Sequence, residues 1–579
     1  MKKFSLLFAL ILGLFFFTSC EDDDDTTTPT VLDEPTIGTA TGTTIQAGTT
    51  ANVTIPITAP GGLASVTVSA TAGTATVTAG SFTVGATTQQ SVVVSYTAPA
   101  TAGNQVINVT ATDQQSPAQT ETGAVVINVT TEPVKPTRDV FASAAGTGTV
   151  TWDKDTIYVL RGFIFVNSGQ TLTIEAGTIV KGQPGAGSGA SALIVARGGK
   201  LMAEGTAADP IIMTALSDDT DDPADLPAGL DSQWGSLIVL GKAKINGTDA
   251  VVGGEAAIEG IPTTETRGLY GGTDDADNSG VLKYISLRHG GTEIGASNEI
   301  NGLSLGAVGN ATTIDYIEVF SNFDDGYEWF GGTVNAKHLI SAYAGDDAID
   351  WDQGFTGKIQ YLFVAQEPAG TATPKGGRGC ECNGVVNGAT INYDSAPISM
   401  PTIANATFIG AGAGAAETQI FEFRQGSAGK VYNSIFFNFA AGLRVNGISA
   451  SEAIESETRL DAGTLLFANN LFGGIGSATA LSGVGQANGA IDNTALAAKV
   501  NTMLANNNNA YNNTIGLQGA SVTVGGLNPL LTAGGAADGV TTFDLSADTF
   551  FTTETKIGAF PTSTNWATGW TALDEYGFL

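Results

Sequence analysis

The chain has 579 residues and carries 56 acidic against 24 basic side chains, which gives a formal net charge of -32 at pH 7. Binding to nucleic acid phosphates needs a basic surface, so this composition excludes nucleic acid as an expected partner and leaves cations, neutral glycans and proteins. With only three cysteines, disulfides cannot be the main support of the chain, and 76 glycines favour a β-rich, turn-rich solenoid.

The N-terminus has the layout of a secretory signal over residues 1–19. Two lysines near the start are followed by an apolar run from Leu6 to Phe17, and two small polar residues precede Cys20. The run is shorter than the roughly 20 residues that a membrane-spanning helix needs. The ending at Cys20 resembles a bacterial lipobox, in which the cysteine is acylated and becomes the mature N-terminus. The alternative is a cleaved signal with an incidental cysteine.

Residues 20–32 form an acidic segment rich in threonine and proline, without an apolar period, which predicts an extended tether. The acidic run beside Cys20 also resembles the surface-export signal of Bacteroidota lipoproteins. Together these features predict a protein that is held to the outer membrane by lipid and faces the extracellular medium.

Residues 33–131 contain short alternating runs, such as 51–57, 91–96 and 105–110, separated by turn signals. This spacing predicts a β-sandwich similar to bacterial immunoglobulin-like modules, which usually act as spacers. Residues 132–138 contain two prolines and predict a linker.

Residues 139–579 consist of short β-type runs with glycine corners, for example 156–160, 171–180 and 193–196. Each run is too short to bury a core alone, whereas a stack of them buries a continuous apolar column. The succession resembles right-handed parallel β-helices of the pectin-lyase-like class. The predicted fold class is therefore all-β, an N-terminal immunoglobulin-like β-sandwich followed by a right-handed parallel β-helix. The aromatic end of the chain, with Trp570, is expected to cap or dock on the last coil.

Two acidic segments of this region, 324–332 and 346–354, align without a gap at a separation of 22 residues. Equivalent residues of successive coils lie about 4.8 Å apart. When carboxylates lie so close together, either their repulsion raises the pKa of one of them or they bind a cation. Calcium, which takes about six to eight oxygen ligands, is the natural candidate. The predicted calcium site consists of the pairs Asp324 with Asp346, Asp325 with Asp347, and Glu328 with Asp350, with oxygens added by Asp352 and Asn322. The alternative is that these acids cap turns on solvated corners and point apart.

Trp329 and Trp351 stack in the same alignment. They are candidate ligand-binding residues if they form an outward aromatic shelf for a sugar ring, and the alternative is that they fill the column. A second acidic loop, 274–280, offers Asp275 and Asp277 at alternate positions as calcium ligands. Because Ser286 stands where an EF-hand has a bidentate glutamate, this loop is not an EF-hand.

Enzyme chemistry is less well supported by the residues. Pectin-lyase-like enzymes, which this architecture resembles, use a basic residue and calcium on uronates, and hydrolytic relatives use close aspartates. Candidate bases are Arg288, Lys337, Arg378 and Arg424. His289 and His338 are expected to be buried and hydrogen-bonded, and no nucleophile motif accompanies them. Cys380 and Cys382 could form a local disulfide, remain free or, with both histidines, bind zinc.

The segment GGTDDADNSGVLKYISLRHGG and the stretch from NEINGLSL to KIQYLFVAQ look like a family of Bacteroidota secreted β-helix lipoproteins of unknown function. The resemblance covers about residues 150–579. Some members carry the label "multidrug transporter", which the lack of a spanning-helix pattern contradicts. We therefore expect a cell-surface lipoprotein that acts as an extracellular binding, scaffold or adhesion module for glycan or a surface protein. The alternative is a calcium-dependent polysaccharide lyase or glycoside hydrolase.

Overall fold

The computed structural model describes residues 32–131, 135–246, 254–295, 298–368, 376–385, 392–412 and 419–579. The predicted signal peptide, Cys20 and all of the predicted tether except its last residue lie outside these ranges. The chain divides into two compact units, Met1–Val134 and Lys135–Leu579.

In the first unit, the described residues form two four-stranded sheets. The strands of one sheet, in spatial order, are Thr36–Ile37, Thr50–Thr58, Gln90–Thr97 and Thr74–Val77; those of the other are Thr44–Gln46, Thr120–Thr130, Gly103–Asp113 and Leu63–Ala70. Alternate residues of each long strand point inward, as Val53 and Ile55 do in one sheet and Ile107 and Val109 in the other. These side chains join one hydrophobic cluster. The period of two in the sequence therefore produces this core.

The second unit is built from an 18-stranded and a 10-stranded sheet, in both of which the chain passes repeatedly as parallel strands. The 18-stranded sheet contains Thr137–Phe141, Val150–Trp152, Ile157–Arg161, Thr171–Ile174, Ile179–Gly182, Lys200–Glu204, Ile211–Ala215, Gly280–Arg288, Thr313–Phe320, Asn335–Ala342, Lys358–Ala365, Thr402–Ala404, Thr407–Ile409, Gly429–Tyr432, Ile435–Phe437, Leu465–Ala468, Leu471–Gly473 and Ala510–Tyr511. The 10-stranded sheet contains Phe163–Val166, Ala192–Val195, Leu237–Leu240, Leu303–Gly306, Tyr327–Phe330, Ile349–Asp352, Cys380–Asn383, Gln419–Arg424, Ala441–Asn446 and Gly485–Asn488.

Within the described ranges, the second unit also contains three strand pairs and a few short helices outside the two large sheets. The pairs are Glu255–Ala257 with Leu269–Gly271, Glu293–Gly295 with Asn298–Glu299, and Leu517–Ala520 with Leu527–Leu531. The α-helices are Ser456–Asp461, Asn493–Asn506 and Ala572–Glu575, and the 3-10 helices are Gly187–Gly189, Thr266–Gly268, Leu481–Gly483 and Ala537–Gly539. None of the described helices is long and apolar enough to cross a membrane.

The inward side chains of both large sheets form one hydrophobic column. Coil corners inside the 18-stranded sheet are made by residues in the left-handed region, with φ of 48° at Tyr284, 55° at Tyr316, 49° at His338 and 62° at Tyr361. A non-glycine residue is strained in that region. Stacking of the four rings, at centroid distances of 4.2, 4.0 and 4.6 Å, offsets part of this strain.

The C-terminal segment packs differently from the expectation of a cap on the last coil. Helix Asn493–Asn506 buries Leu496, Val500 and Leu504 in the column beside the late strands. The final aromatic residues instead pack with Phe320 and Phe363 on the outer side of middle strands. The expectation was wrong because a helix supplies the apolar face that the last coils need, which leaves the aromatic tail to cover the side of the coils.

Candidate acidic cation site

Strands Tyr327–Phe330 and Ile349–Asp352 lie next to each other in the 10-stranded sheet, in the register that the gapless repeat predicts. Glu328 pairs with Asp350 and Trp329 with Trp351. The column of acids continues over the next strands, because Asp350 pairs with Glu381 and Glu381 pairs with Glu422. These last two acids are not indicated by the sequence, since long loops separate their strands and no constant repeat reaches them.

Three aspartates at the bends before these strands converge. Oxygen atoms of Asp324, Asp325 and Asp346, which we call the turn carboxylates, all lie within 4.8 Å of one another. Asp325 Oδ1 also accepts a hydrogen bond of 2.8 Å from the backbone N–H of Asp347. The predicted pairs of the turn are therefore brought together, and the alternative in which these acids point apart is wrong for Asp324, Asp325 and Asp346.

The turn carboxylates and the strand acids open into one cavity of about 720 Å³. Its second wall comes from the two inserted strand pairs, which contribute Glu259 and Glu299. Ten carboxyl side chains line the cavity: Glu259, Glu299, Asp324, Asp325, Glu328, Asp346, Asp347, Asp350, Asp352 and Glu381. No lysine or arginine is among the described lining residues. Glu259 and Glu299 lie outside the repeat, so no spacing in the sequence indicated them.

Two of the strand acids hold buried oxygen atoms without a hydrogen-bond partner in the described structure. These are Oδ1 of Asp350 and Oδ1 of Asp352, and each residue is only 8% exposed. The same carboxylates line the cavity. A buried, unsatisfied carboxylate oxygen is costly, so it indicates a place for a bound proton or cation.

Burial and mutual repulsion raise the pKa values of these acids. Burial, followed by the charges of Glu259 and Asp346, raises the pKa of Asp324 to about 7. Burial raises the pKa of Asp352 to about 8, and the charge of Glu259 adds to this effect. The pKa values of Asp325, Glu328 and Asp350 lie well above the usual range, again through burial first and neighbouring carboxylates second. The cavity thus concentrates negative charge that a cation would neutralise.

The stacked parallel coils agree with a family model described as "Pectate-lyase like beta helix domain", which matches residues 144–571. The chain belongs to this family. A solved structure of Yersinia enterocolitica Family 28 exopolygalacturonase is similar at 10% identity over 76% of this chain and 86% of that one, with a TM-score of 0.16. No curated protein matches the chain.

In this pectate-lyase-like β-helix, the arginines nearest the cavity are engaged in ion pairs. Arg378 contacts Asp347 at 3.3 Å, Glu381 at 2.7 Å and Glu422 at 2.5 Å. Arg424 pairs with Glu381. These ion pairs close one end of the acidic column, and they hold both guanidinium groups in place.

The other two candidate bases lie on the 18-stranded sheet. Arg288 is buried and pairs with Glu575 at 2.7 Å, and Lys337 donates to Thr552 at 3.0 Å. Neither residue lines the acidic cavity. The structure therefore does not bring them to the predicted site.

The aromatic-shelf prediction for Trp329 and Trp351 is wrong. Both side chains are fully buried in the hydrophobic column. They alternate along the strand with Glu328 and Asp350, and residues of opposite parity point to opposite faces. A sugar therefore cannot reach the two rings, which fill the interior of the β-helix.

The predicted ligands Asp275 and Asp277 do not join the site. Asp275 pairs with Lys244 at 2.5 Å, whereas Asp277 is buried and accepts from Ser279 at 3.2 Å. Neither residue lines the acidic cavity. Loop 274–280 uses its acids for a turn and an ion pair, as the backbone N–H of Ala276 donating to Asp274 Oδ1 at 3.1 Å also indicates.

Asn322 was a candidate for additional oxygen ligands. Its Nδ2 donates to the backbone carbonyls of Asp325 and Ile300, and its Oδ1 is buried without a hydrogen-bond partner among the described residues. Asn322 is not among the residues that line the cavity. Asp352, the other candidate, does line it.

Both histidines are hydrogen-bonded, as expected, but His289 is fully buried whereas His338 is only half-buried. His289 Nδ1 lies 2.6 Å from the carbonyl oxygen of Leu230, and burial lowers its pKa. His338 Nδ1 lies 2.7 Å from Asp315 Oδ1 within the stack of rings. Cys380 and Cys382 are buried with their Sγ atoms 3.2 Å apart, as two thiols. The metal-ligand cluster of the described residues includes neither histidine nor cysteine.

Proposed function

We propose that the β-helix is a calcium-dependent binding module whose acidic cavity holds the cation. The observation that carries this proposal is the convergence of the three turn carboxylates within 4.8 Å, in a cavity that also buries unpartnered oxygens of Asp350 and Asp352. The donors are all oxygen atoms, which suits a hard cation with about six to eight ligands. Calcium would provide the positive charge that the lining lacks.

The ligand class we propose is a polyhydroxylated glycan, bound through the cation. Ten carboxyl groups repel an anionic glycan, so a uronate would also need the cation as a bridge. The family description supports a carbohydrate ligand only by analogy. An acidic polysaccharide and a neutral one are separable by testing both with and without calcium.

A second candidate function is glycoside hydrolysis. The pKa of about 7 at Asp324 and at Asp347 suits a general acid at neutral pH. A lyase is less well supported, because Arg378 and Arg424, the basic residues nearest the cavity, are both tied to carboxylates. Release of reducing ends from polygalacturonate or neutral polysaccharides would reveal hydrolysis, and an unsaturated product would reveal a lyase.

We also propose the setting in which this module works. Acylation at Cys20 would hold the protein to the outer membrane of a Bacteroidota cell, facing the medium, with membrane contact through the lipid anchor. The first unit would serve as an immunoglobulin-like spacer and the β-helix would be right-handed. Supporting features are the signal-like N-terminus, the acidic tether and the alternating strands of the first unit. Mass spectrometry of the mature N-terminus would detect the lipid.

The decisive experiment is titration of calcium into chelator-treated protein by calorimetry. We expect binding in the wild type, and we expect Asp324→Asn/Asp346→Asn to lose the cation held by the turn carboxylates. A matched control is Glu204→Gln/Asp209→Asn, which removes the same charge from two exposed positions. Absence of calcium binding in the wild type, or an equal effect of both double variants, would overturn the proposal.

A further inference from the structure

The wall opposite the acidic strands is an inserted hairpin, residues 254–271, which carries Glu259 at its turn. The apolar side of the hairpin is anchored, since Ile258, Ile261 and Tyr270 join a hydrophobic cluster with Phe330 of the coil. The hairpin is also held to the coil by the ion pair between Arg197 and Glu255. Glu259 is thus presented to the coil by a hairpin of fixed position.

Within the described part of the chain, Glu259 faces other carboxylates and forms no ion pair with a basic side chain. In addition to burial, its negative charge raises the pKa values of Asp324, Glu328 and Asp352 of the coil. In addition to burial, the charge of Glu299 in turn raises the pKa of Glu259. The two walls of the cavity therefore repel each other when they are ionised. Apolar contacts hold the hairpin on one side, while its acidic side has no attraction to the coil among the described lining residues.

The turn carboxylates account for only part of the acidic lining. One calcium ion takes about six to eight oxygens, and ten carboxyl groups offer many more. The unpartnered Oδ1 atoms of Asp350 and Asp352 belong to the strand rather than to the turn cluster. Asp350 is in register with Glu328, which places a third carboxylate beside them.

We infer that a second calcium ion binds between Glu259 of the hairpin and the strand carboxylates Glu328, Asp350 and Asp352, and that it clasps the hairpin to the coil. This inference rests on the proposed calcium-binding function. The second ion joins the two acidic walls, so the cavity is complete only when the ion is bound. The hairpin then forms one wall of a cavity whose two walls are joined by the bound cation.

The test combines calcium stoichiometry with amide hydrogen exchange of the full mature chain. We expect two ions in the wild type and slower exchange around residues 258–261 when calcium is present. Glu259→Gln should weaken one of the two ions about tenfold or more and abolish the effect of calcium on exchange in the hairpin. Asp324→Asn/Asp346→Asn should keep one ion and keep that effect.

A matched control is Glu265→Gln, which changes the same hairpin outside the cavity and should keep two ions. Unchanged exchange in strand Thr313–Phe320 checks that each variant is folded. One ion in the wild type that only the turn variant removes would overturn the inference and leave the proposed function standing. Two ions retained by Glu259→Gln would overturn it as well, whereas no ion in the wild type would overturn both proposals.

Discussion

The inward and outward faces of strands Tyr327–Phe330 and Ile349–Asp352 are both buried and are chemically opposite. The inward face carries Trp329 and Trp351 in the apolar column, and the outward face carries Glu328 and Asp350 in the acidic cavity. Burial of the rings stabilises the fold, whereas burial of like charges opposes it. The same strand can therefore stabilise the fold through one face and carry, on the other face, buried acids that destabilise the fold until a cation binds them.

The largest expected effect comes from the inward face. Trp351→Ala removes a fully buried ring whose indole N–H also donates to Ser427 at 3.0 Å, and should lower the free energy of unfolding by about 4 kcal/mol. Its neighbour on the outward face, Asp350→Ala, is the matched control. In calcium-free buffer at neutral pH it should leave stability unchanged or raise it, because it removes a buried carboxyl group whose Oδ1 has no hydrogen-bond partner among the described residues. Urea denaturation of both variants measures the difference, and equal losses would contradict the contrast between the faces.

The next effect concerns the end of the acidic column, where arginines compensate the acids. Arg378→Met leaves Asp347, Glu381 and Glu422 without this guanidinium, and should cost about 3 kcal/mol at neutral pH. Arg444→Met is the control, since Arg444 is 31% exposed and contacts Glu422 at 3.3 Å, and it should cost less than about 1 kcal/mol. Similar losses in urea denaturation would mean that the position in the column does not matter.

Part of the site could be predicted from the sequence because two coils have the same length. A gapless repeat places Glu328 beside Asp350, and no knowledge of the loops is needed. Glu381 lies on the next strand, but its register cannot be predicted from the sequence because an insertion precedes it. Glu259 reaches the cavity from an inserted hairpin, whose docking depends on tertiary apolar contacts that no local spacing encodes.

The sequence also contained the argument against the aromatic shelf. Trp329 directly follows Glu328, and neighbouring residues of a strand point to opposite faces. An outward acidic column and an outward tryptophan shelf were therefore incompatible hypotheses. The fold class was easier to predict than the site, since β-type runs with glycine corners recur along the chain, whereas the site depends on which loops are inserted.

A smaller effect should appear as a pH dependence of the calcium-free protein. The pKa is raised from 3.8 to about 7 at Asp347 and to about 8 at Asp352, mainly by burial. Because the folded state holds these protons more tightly, the stability they contribute is present below the unfolded pKa and is lost as pH rises through about 4 to 8. Water in the open cavity hydrates the ionised carboxylates and offsets most of the cost of these shifts, so we expect a loss on the order of 2 kcal/mol, measured by urea denaturation across this range.

Calcium should remove most of this dependence, since it replaces the protons as the neutralising charge. Asp352→Asn should flatten the calcium-free profile in part, because it removes one of the raised carboxyl groups. A calcium-free profile that stays flat from about pH 4 to 8 would show that the cavity tolerates its charges by hydration alone.

The smallest effect is expected at an exposed lysine that pairs with two acids outside the cavity. Lys499 contacts Glu457 at 2.8 Å and Asp461 at 2.9 Å, and its side chain is 43% exposed. Solvent screens such pairs, so Lys499→Ala should cost less than about 1 kcal/mol in urea denaturation, although it leaves two acids without this partner. A loss as large as that of Arg378→Met would mean that the number of unpaired acids, rather than their burial, sets the cost. A small loss would locate the repulsion in the buried cavity, where a cation has most to neutralise.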